Sequence, residues 1–135
     1  MHIYVAGTFT DRDRIKYFLP RIKEAGHHVT STWFEESVSA YNGVPFEEWE
    51  ASLAKKDLTE LLGSELLILD TFSHSSTGGK DVELGWALCA GIPVWIVGPI
   101  YSIFHRLATK HFTWWPQCLE ELALGDIIEE ERASV

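Results

Sequence analysis

The residues best placed to do chemistry lie in one stretch, Ser75-Ser76-Thr77-Gly78-Gly79-Lys80-Asp81-Val82-Glu83-Leu84-Gly85-Trp86-Ala87. Gly78 and Gly79 let the backbone turn tightly, and the small hydroxyl residues before them leave room for a ligand. The loop runs into a helix, so its free N–H groups and the helix dipole favour negative charge there. Such a start can take a phosphate or a sugar hydroxyl. Glu83 sits near it, on the face that looks back over the loop, and its carboxylate is expected to stay ionised, as a nucleophile requires. The commonest fate of a Glu is a helix surface. Here the apolar neighbours Val82, Leu84, Trp86 and Ala87 predict a mostly buried helix, in which a charge needs a reason.

Other candidates are weaker on their own. Asp57 follows Lys55 and Lys56 on a helix and by itself reads as solvent-facing. Tyr4 lies mid-strand, where a buried phenol needs a partner and a carboxylate would serve. Trp33 ends a strand, and packing or stacking on a base both remain open. Lys80 could reach a phosphate or simply point into solvent. His27, His28, His74, His105 and His111 have no metal-ligand spacing, and Cys89 and Cys118 form no CxxC, so neither a zinc site nor a disulfide framework is expected. Cys89 reads as a small buried hydrophobe of an apolar helix. The glycine-rich loop is not GxGxxG and lacks GK[ST], which argues against the common dinucleotide and NTP sites.

The elements that must position these residues alternate. His2–Ala6 reads as a strand, followed by a turn over Gly7, Thr8, Phe9 and Thr10. Ile15, Phe18, Leu19, Ile22 and Ala25 recur at helical spacing, with a kink expected at Pro20 and a stop at Gly26. A second strand is expected over His28–Trp33 and a loop over residues 35–45. A helix from about Phe46 to Leu62 carries Trp49, Leu53, Leu58, Leu61 and Leu62 inward. A third strand covers Glu65–Asp70 and a fourth Val94–Val97. The remainder predicts a short helix over Ile103–Ala108, a last strand over His111–Trp114 and a helix over Pro116–Leu124, with the tail after about residue 125 expected to fray. Strand–helix alternation implies a single α/β domain over 1–135, a doubly wound parallel sheet of about five strands with helices on both faces. In a flavodoxin-like order, strands one and three flank the switch point, where ligands bind. Gly7 to Thr10, Trp33, Asp70 to Phe72 and the 75–83 loop would then converge.

Composition narrows the partners. A net charge of −9 argues against binding a nucleic-acid polymer, which needs a basic surface, but allows a nucleotide in a pocket. The acidic runs at 35–36, 47–48 and 129–131 are most simply solvated faces. No transmembrane span or signal peptide is read from the sequence, so no membrane association and a cytoplasmic location are expected.

Taken together, Ile3-Tyr4-Val5-Ala6-Gly7-Thr8-Phe9, then Lys56-Asp57-Leu58, then Thr77-Gly78-Gly79 with Glu83-Leu84-Gly85-Trp86-Ala87, resemble the nucleoside 2-deoxyribosyltransferase family, which includes the 2′-deoxynucleoside 5′-monophosphate N-hydrolases. The likeness runs through residues 2 to 98. It implies Glu83 as a nucleophile forming a covalent 2-deoxyribosyl intermediate, Tyr4 orienting it, and Asp57 positioning Glu83 or moving a proton to the departing base. Gly7, Thr8 and Phe9 would line the pocket, Thr77, Gly78 and Gly79 would meet the sugar or its 5′ substituent, and Phe9 or Trp33 could sandwich the base. Hydrolases of this group carry a phosphate-binding arginine in the first loop. Here that position is Thr10, with Arg12 and Arg14 just beyond.

The resemblance further implies no cofactor, no metal, a small-molecule deoxynucleoside or deoxynucleotide substrate and a homo-oligomer. Two competing readings are a non-catalytic nucleotide-binding module of the same fold, and a partner-binding protein using Phe112-Thr113-Trp114-Trp115 as its interface.

Overall fold

The computed structural model describes residues 1–36, 43–74 and 78–133, with side chains through residue 124. Five strands form one parallel sheet: β1 (His2–Ala6), β2 (His28–Val29), β3 (Leu66–Asp70), β4 (Val94–Val97) and β5 (Lys110–Phe112). Their order is β2-β1-β3-β4-β5, the flavodoxin-like order, and the direction of winding reverses between β1 and β3. Helices α1 (Arg12–Lys16), α2 (Leu19–Glu24), α3 (Phe46–Leu62), α4 (Gly79–Ala90) and α5 (Trp115–Ala133) surround it. Right-handed crossovers in opposite directions put α2 with α5 on one face and α3 with α4 on the other.

Register sorts the central side chains. Ile3 and Val5 pair with Leu66 and Ile68, so these four point to one face; Tyr4 and Ala6 pair with Leu67 and Leu69 and point to the other. Every residue of β3 is buried, as expected for a strand covered on both faces. Tyr4 thereby faces α3 and α4.

Several sequence expectations shift. The first helix is two pieces, because Pro20 lacks an N–H and falls in the first turn of α2 rather than within one long helix. The second strand ends at Val29 instead of Trp33, and β1 shows why. The Val5 N–H donates to Ser31 Oγ (3.0 Å) and the Val5 carbonyl accepts from Trp33 Nε1 (2.7 Å). Side chains thus replace the ladder bonds, releasing the chain into a 3-10 turn over Trp33–Glu35.

Helix α3 has the expected limits, but Leu62 is 49% exposed, while Leu61 is buried. The C-terminal helix starts one residue early and runs on to Ala133, through a stretch rich in good helix formers. Cys89 is exposed and Cys118 buried, so the apolar-helix reading of Cys89 fails: α4 buries only one face. Among the described residues no helix is long and apolar enough to cross a membrane.

At the carboxyl end of β3 the fully buried Asp70 binds three elements together. It takes a two-pronged contact from Arg14 (2.8 and 3.0 Å), the indole N–H of Trp115 (2.8 Å) and the backbone N–H of Phe72 (3.2 Å). Trp115 is itself fully buried and stacks on Phe18 at 5.5 Å. Phe112 packs edge-on against Trp95, and Trp114 packs against Phe18 and Phe72. Phe112 and Trp115 of the aromatic run are thus taken up in internal packing, while Trp114 remains 41% exposed.

Candidate active site

Chain reversal between β1 and β3 opens a crevice at the carboxyl ends of the strands. A polar cavity of about 150 Å³ lies there, lined by Gly7, Thr8, Phe9, Trp33, Glu36, Asp57, Gly79, Lys80 and Glu83. Each of these residues has a structural reason for its place. Gly7 follows β1 directly, and a Cβ there would lie 2.5 Å from Ile15 Cδ1 and 3.4 Å from Asp70 Cβ, so any other residue would have to displace the buried Ile15 side chain of α1. Trp33 is fixed as a wall by its bond to the Val5 carbonyl and by stacking on Phe34 at 3.9 Å. Its ring is tilted by 44° against Phe9, with 6.4 Å between ring centres. Gly78 caps α4 with φ of 75°, a left-handed conformation suited to glycine.

Glu83 stands one turn into α4. Asp57 approaches from α3, and Tyr4 rises from β1 beneath both. The Tyr4 hydroxyl and Glu83 are close enough to shift each other's protonation. Yet Tyr4 Oη, Glu83 Oε2 and Asp57 Oδ1 are buried with no hydrogen-bond partner of normal geometry. Three unpartnered polar atoms at one point is costly unless a ligand completes them.

The electrostatics correct one expectation. Burial, then the charge of Asp57, push the Glu83 carboxyl up to about 8, against a smaller opposing pull from the Tyr4 hydroxyl. Burial and the neighbouring Glu36 likewise raise Asp57 to about 6, with Lys56 opposing. Burial and both carboxylates push the Tyr4 phenol far up, so it remains a proton donor. Free Glu83 is therefore not the readily ionised group that its position near a helix start suggests. Between these two values the Asp57–Glu83 pair holds one proton in common. One carboxyl can then act as a nucleophile while the other serves as an acid.

Asp57, which its neighbours alone read as solvent-facing and the resemblance reads as a site residue, is half-buried with a buried oxygen and lines the cavity. Glu36, expected on a solvated face, instead lines the cavity and pairs with Lys56. Neither placement has a local signal, because each depends on where α3 docks. An adjoining cavity of about 390 Å³ shares Phe9, Glu36 and Asp57 and adds Trp49, Glu50, Leu53 and Ala54. Trp49 and Leu53 were read as inward-facing, and their four-residue spacing on α3 was the available signal. Thr77 lies outside the described residues. Gly79 lines the cavity and Gly78 begins the helix beside it.

Val82 and Trp86 are about half exposed, so α4 is amphipathic rather than buried all round. With Leu62, Gly85, Cys89 and Ala90 they line a shallow apolar hollow on its outer flank. Among the described residues no group of three or more His, Cys, Asp or Glu is arranged to hold a metal ion.

By sequence alone, neither a family model nor a curated protein matches this chain. Solved structures do. A 2-deoxyribosyltransferase from the psychrotolerant bacterium Bacillus psychrosaccharolyticus superposes with a TM-score of 0.73 at 20% identity, covering 88% of this chain and 90% of that one. A CMP N-glycosidase from Clostridium botulinum superposes with a TM-score of 0.61 at 17% identity, covering 92% and 99%. The fold is shared with these two enzymes. With about nine-tenths of each chain covered, the likeness is not confined to a single βαβ unit.

Proposed function

We propose that this chain cleaves or transfers the N-glycosidic bond of 2′-deoxynucleosides or their 5′-monophosphates through a covalent 2-deoxyribosyl–Glu83 intermediate. The observation that carries the reading is the buried, unpartnered Asp57–Glu83 pair over Tyr4 at the switch point. The kinship of fold with a deoxyribosyltransferase and a CMP N-glycosidase supports it.

In this reading the pair begins with one proton, which rests on Glu83 in the free site and passes to Asp57 as the substrate displaces water. A Glu83 oxygen attacks the anomeric carbon as the bond from that carbon to the base nitrogen breaks. The bonding electrons leave with the base, and the proton, held at Asp57, neutralises it. Departure is oxocarbenium-like, so a carboxylate against the anomeric centre stabilises the developing charge and then forms the ester. Tyr4 donates its O–H to Glu83 and sets the attacking lone pair. In the second half, water or an acceptor base attacks the same carbon and releases Glu83.

The small polar cavity has room for a pentose ring, with Gly7, Thr8, Gly79 and the start of α4 at Gly78 around it. The base then extends into the adjoining cleft between Phe9 and Trp49, beside Asp57. Trp33 acts as a fixed wall, and Thr77 is proposed to complete the sugar contacts.

Chromatography of each deoxynucleoside and monophosphate after incubation tests the reading, with and without an acceptor base. Free base that disappears with Glu83→Ala supports it, and a new nucleoside appearing only with acceptor assigns transfer. Undiminished base release by Glu83→Ala would overturn the nucleophile assignment.

A further inference from the structure

Lys80 stands apart from the other basic residues of this acidic chain. It is only 3% exposed, yet among the described residues no carboxylate pairs with it. Its ammonium donates to the Ser73 carbonyl and lies 5.6 Å from the centre of the Tyr101 ring. The same Ser73 carbonyl accepts from the Thr8 hydroxyl at 3.1 Å, so hydroxyl and ammonium meet at one point on the cavity rim. His74 stacks on the other contact of Lys80, Tyr101, at 3.8 Å, and His105 meets that ring edge-on at 4.5 Å. Two imidazoles and an ammonium are thus gathered about one phenol ring, beside the first turn of α4.

A buried ammonium without a counter-ion is costly, and a lysine has three N–H donors to satisfy. An anion at the cavity rim would supply the counter-ion that the Ser73 carbonyl and the Tyr101 ring do not. Both arginines that follow Thr10 are occupied elsewhere. Arg14 is committed to Asp70 and Asp11. Arg12 bonds the Glu36 carbonyl at 2.9 Å and covers the Phe9 ring at 4.7 Å. Lys80 precedes Glu83 by three residues on α4, a rise of about 4.5 Å along one face. Both line the same cavity. A pentose whose anomeric carbon meets Glu83 therefore shares its cavity with Lys80.

We propose that Lys80 recognises the 5′-phosphate, making 2′-deoxynucleoside 5′-monophosphates the preferred substrates of this site. The inference rests on the glycosidic reading above, and it names a specificity residue that lies outside the Glu83, Asp57 and Tyr4 group.

Base release is measured from a deoxynucleoside and from its monophosphate, for wild type, Lys80→Met and Lys80→Arg. A charge-assisted hydrogen bond to phosphate is worth about 10- to 100-fold in affinity. Wild type is expected to favour the monophosphate by at least about 10-fold in kcat/KM. Lys80→Met abolishes that ratio through KM, and Lys80→Arg restores part of it. Equal use of both substrates by wild type, or an equal loss on both in Lys80→Met, overturns the proposal.

Calorimetric titration of wild type with 2-deoxyribose 5-phosphate and with 2-deoxyribose needs neither a folded variant nor turnover. Tighter binding of the phosphorylated sugar supports the site even if no base is ever released, an outcome that would sink only the glycosidic reading. Equal or absent binding of the two sugars counts against Lys80 itself.

Discussion

Replacing Glu83 by glutamine should stabilise the protein at pH 8 much more than at pH 5. An ordinary Glu ionises near 4.5, whereas folded Glu83 holds its proton to about 8. A carboxyl whose folded value is raised keeps its full contribution below the unfolded value and loses stability as pH rises towards the folded one. Over those roughly 3.5 pH units, at about 1.36 kcal/mol each, the native state carries a ceiling of about 5 kcal/mol of penalty. The cavity is open to water on one side, which reduces this to about 2–3 kcal/mol. At pH 5 the penalty is about 1 kcal/mol or less by the same slope.

Gln keeps the shape of Glu83 and cannot ionise, so it removes the pH-dependent part. Between the two pH values Asp57 also changes charge, so the difference reports the ionisation of Glu83 together with its coupling to Asp57. For a domain of this size the expected gain at pH 8 is about 8–12 °C in Tm, at about 4 °C per kcal/mol. Thermal unfolding followed by circular dichroism at the two pH values reads it directly. A gain of the same size at both, or a loss at pH 8, would refute the claim that Glu83 is buried at a cost to the fold.

Two further outcomes follow from the same structure. If catalysis needs one proton on the Asp57–Glu83 pair, kcat/KM for base release should be bell-shaped, falling below about 6 as both carboxyls protonate and above about 8 as both ionise; a profile flat from pH 5 to 9 would remove the shared proton from the mechanism. Arg14→Met strips the fully buried Asp70 of its ion-pair partner. That should cost about 3 kcal/mol in urea denaturation, with Asp70→Asn in the same chain recovering a good part; a loss under 1 kcal/mol would mean that Trp115 and Phe72 suffice.

The sheet was legible because its signals are local. Runs such as Leu66–Leu69 and Val94–Val97 are apolar throughout, bounded by Gly and Pro, and separated by helix-length segments. Glu83 was legible for the same reason, as a carboxylate a few residues past a glycine turn. What failed were statements about which way a side chain faces. Cys89 and Leu62 sit in apolar surroundings in the sequence, but each lands on the outer side of its helix. The end of β2 depended on Ser31 and Trp33 reaching back to Val5, which no periodicity records.

The sequence by itself determined the alternation of elements, the glycine turn before α4 and the residue types available for chemistry, since each depends only on neighbours along the chain. Only the tertiary structure decided that Glu36 joins Asp57 and Glu83, that Arg14 is taken by Asp70, and that Lys80 is buried with no carboxylate partner among the described residues. Those outcomes rest on how α3 and α4 dock over Tyr4 and how α1 and α5 close on β3. Burial, with the charge of Asp57, then raises the Glu83 carboxyl, because removing a carboxylate from water is costly.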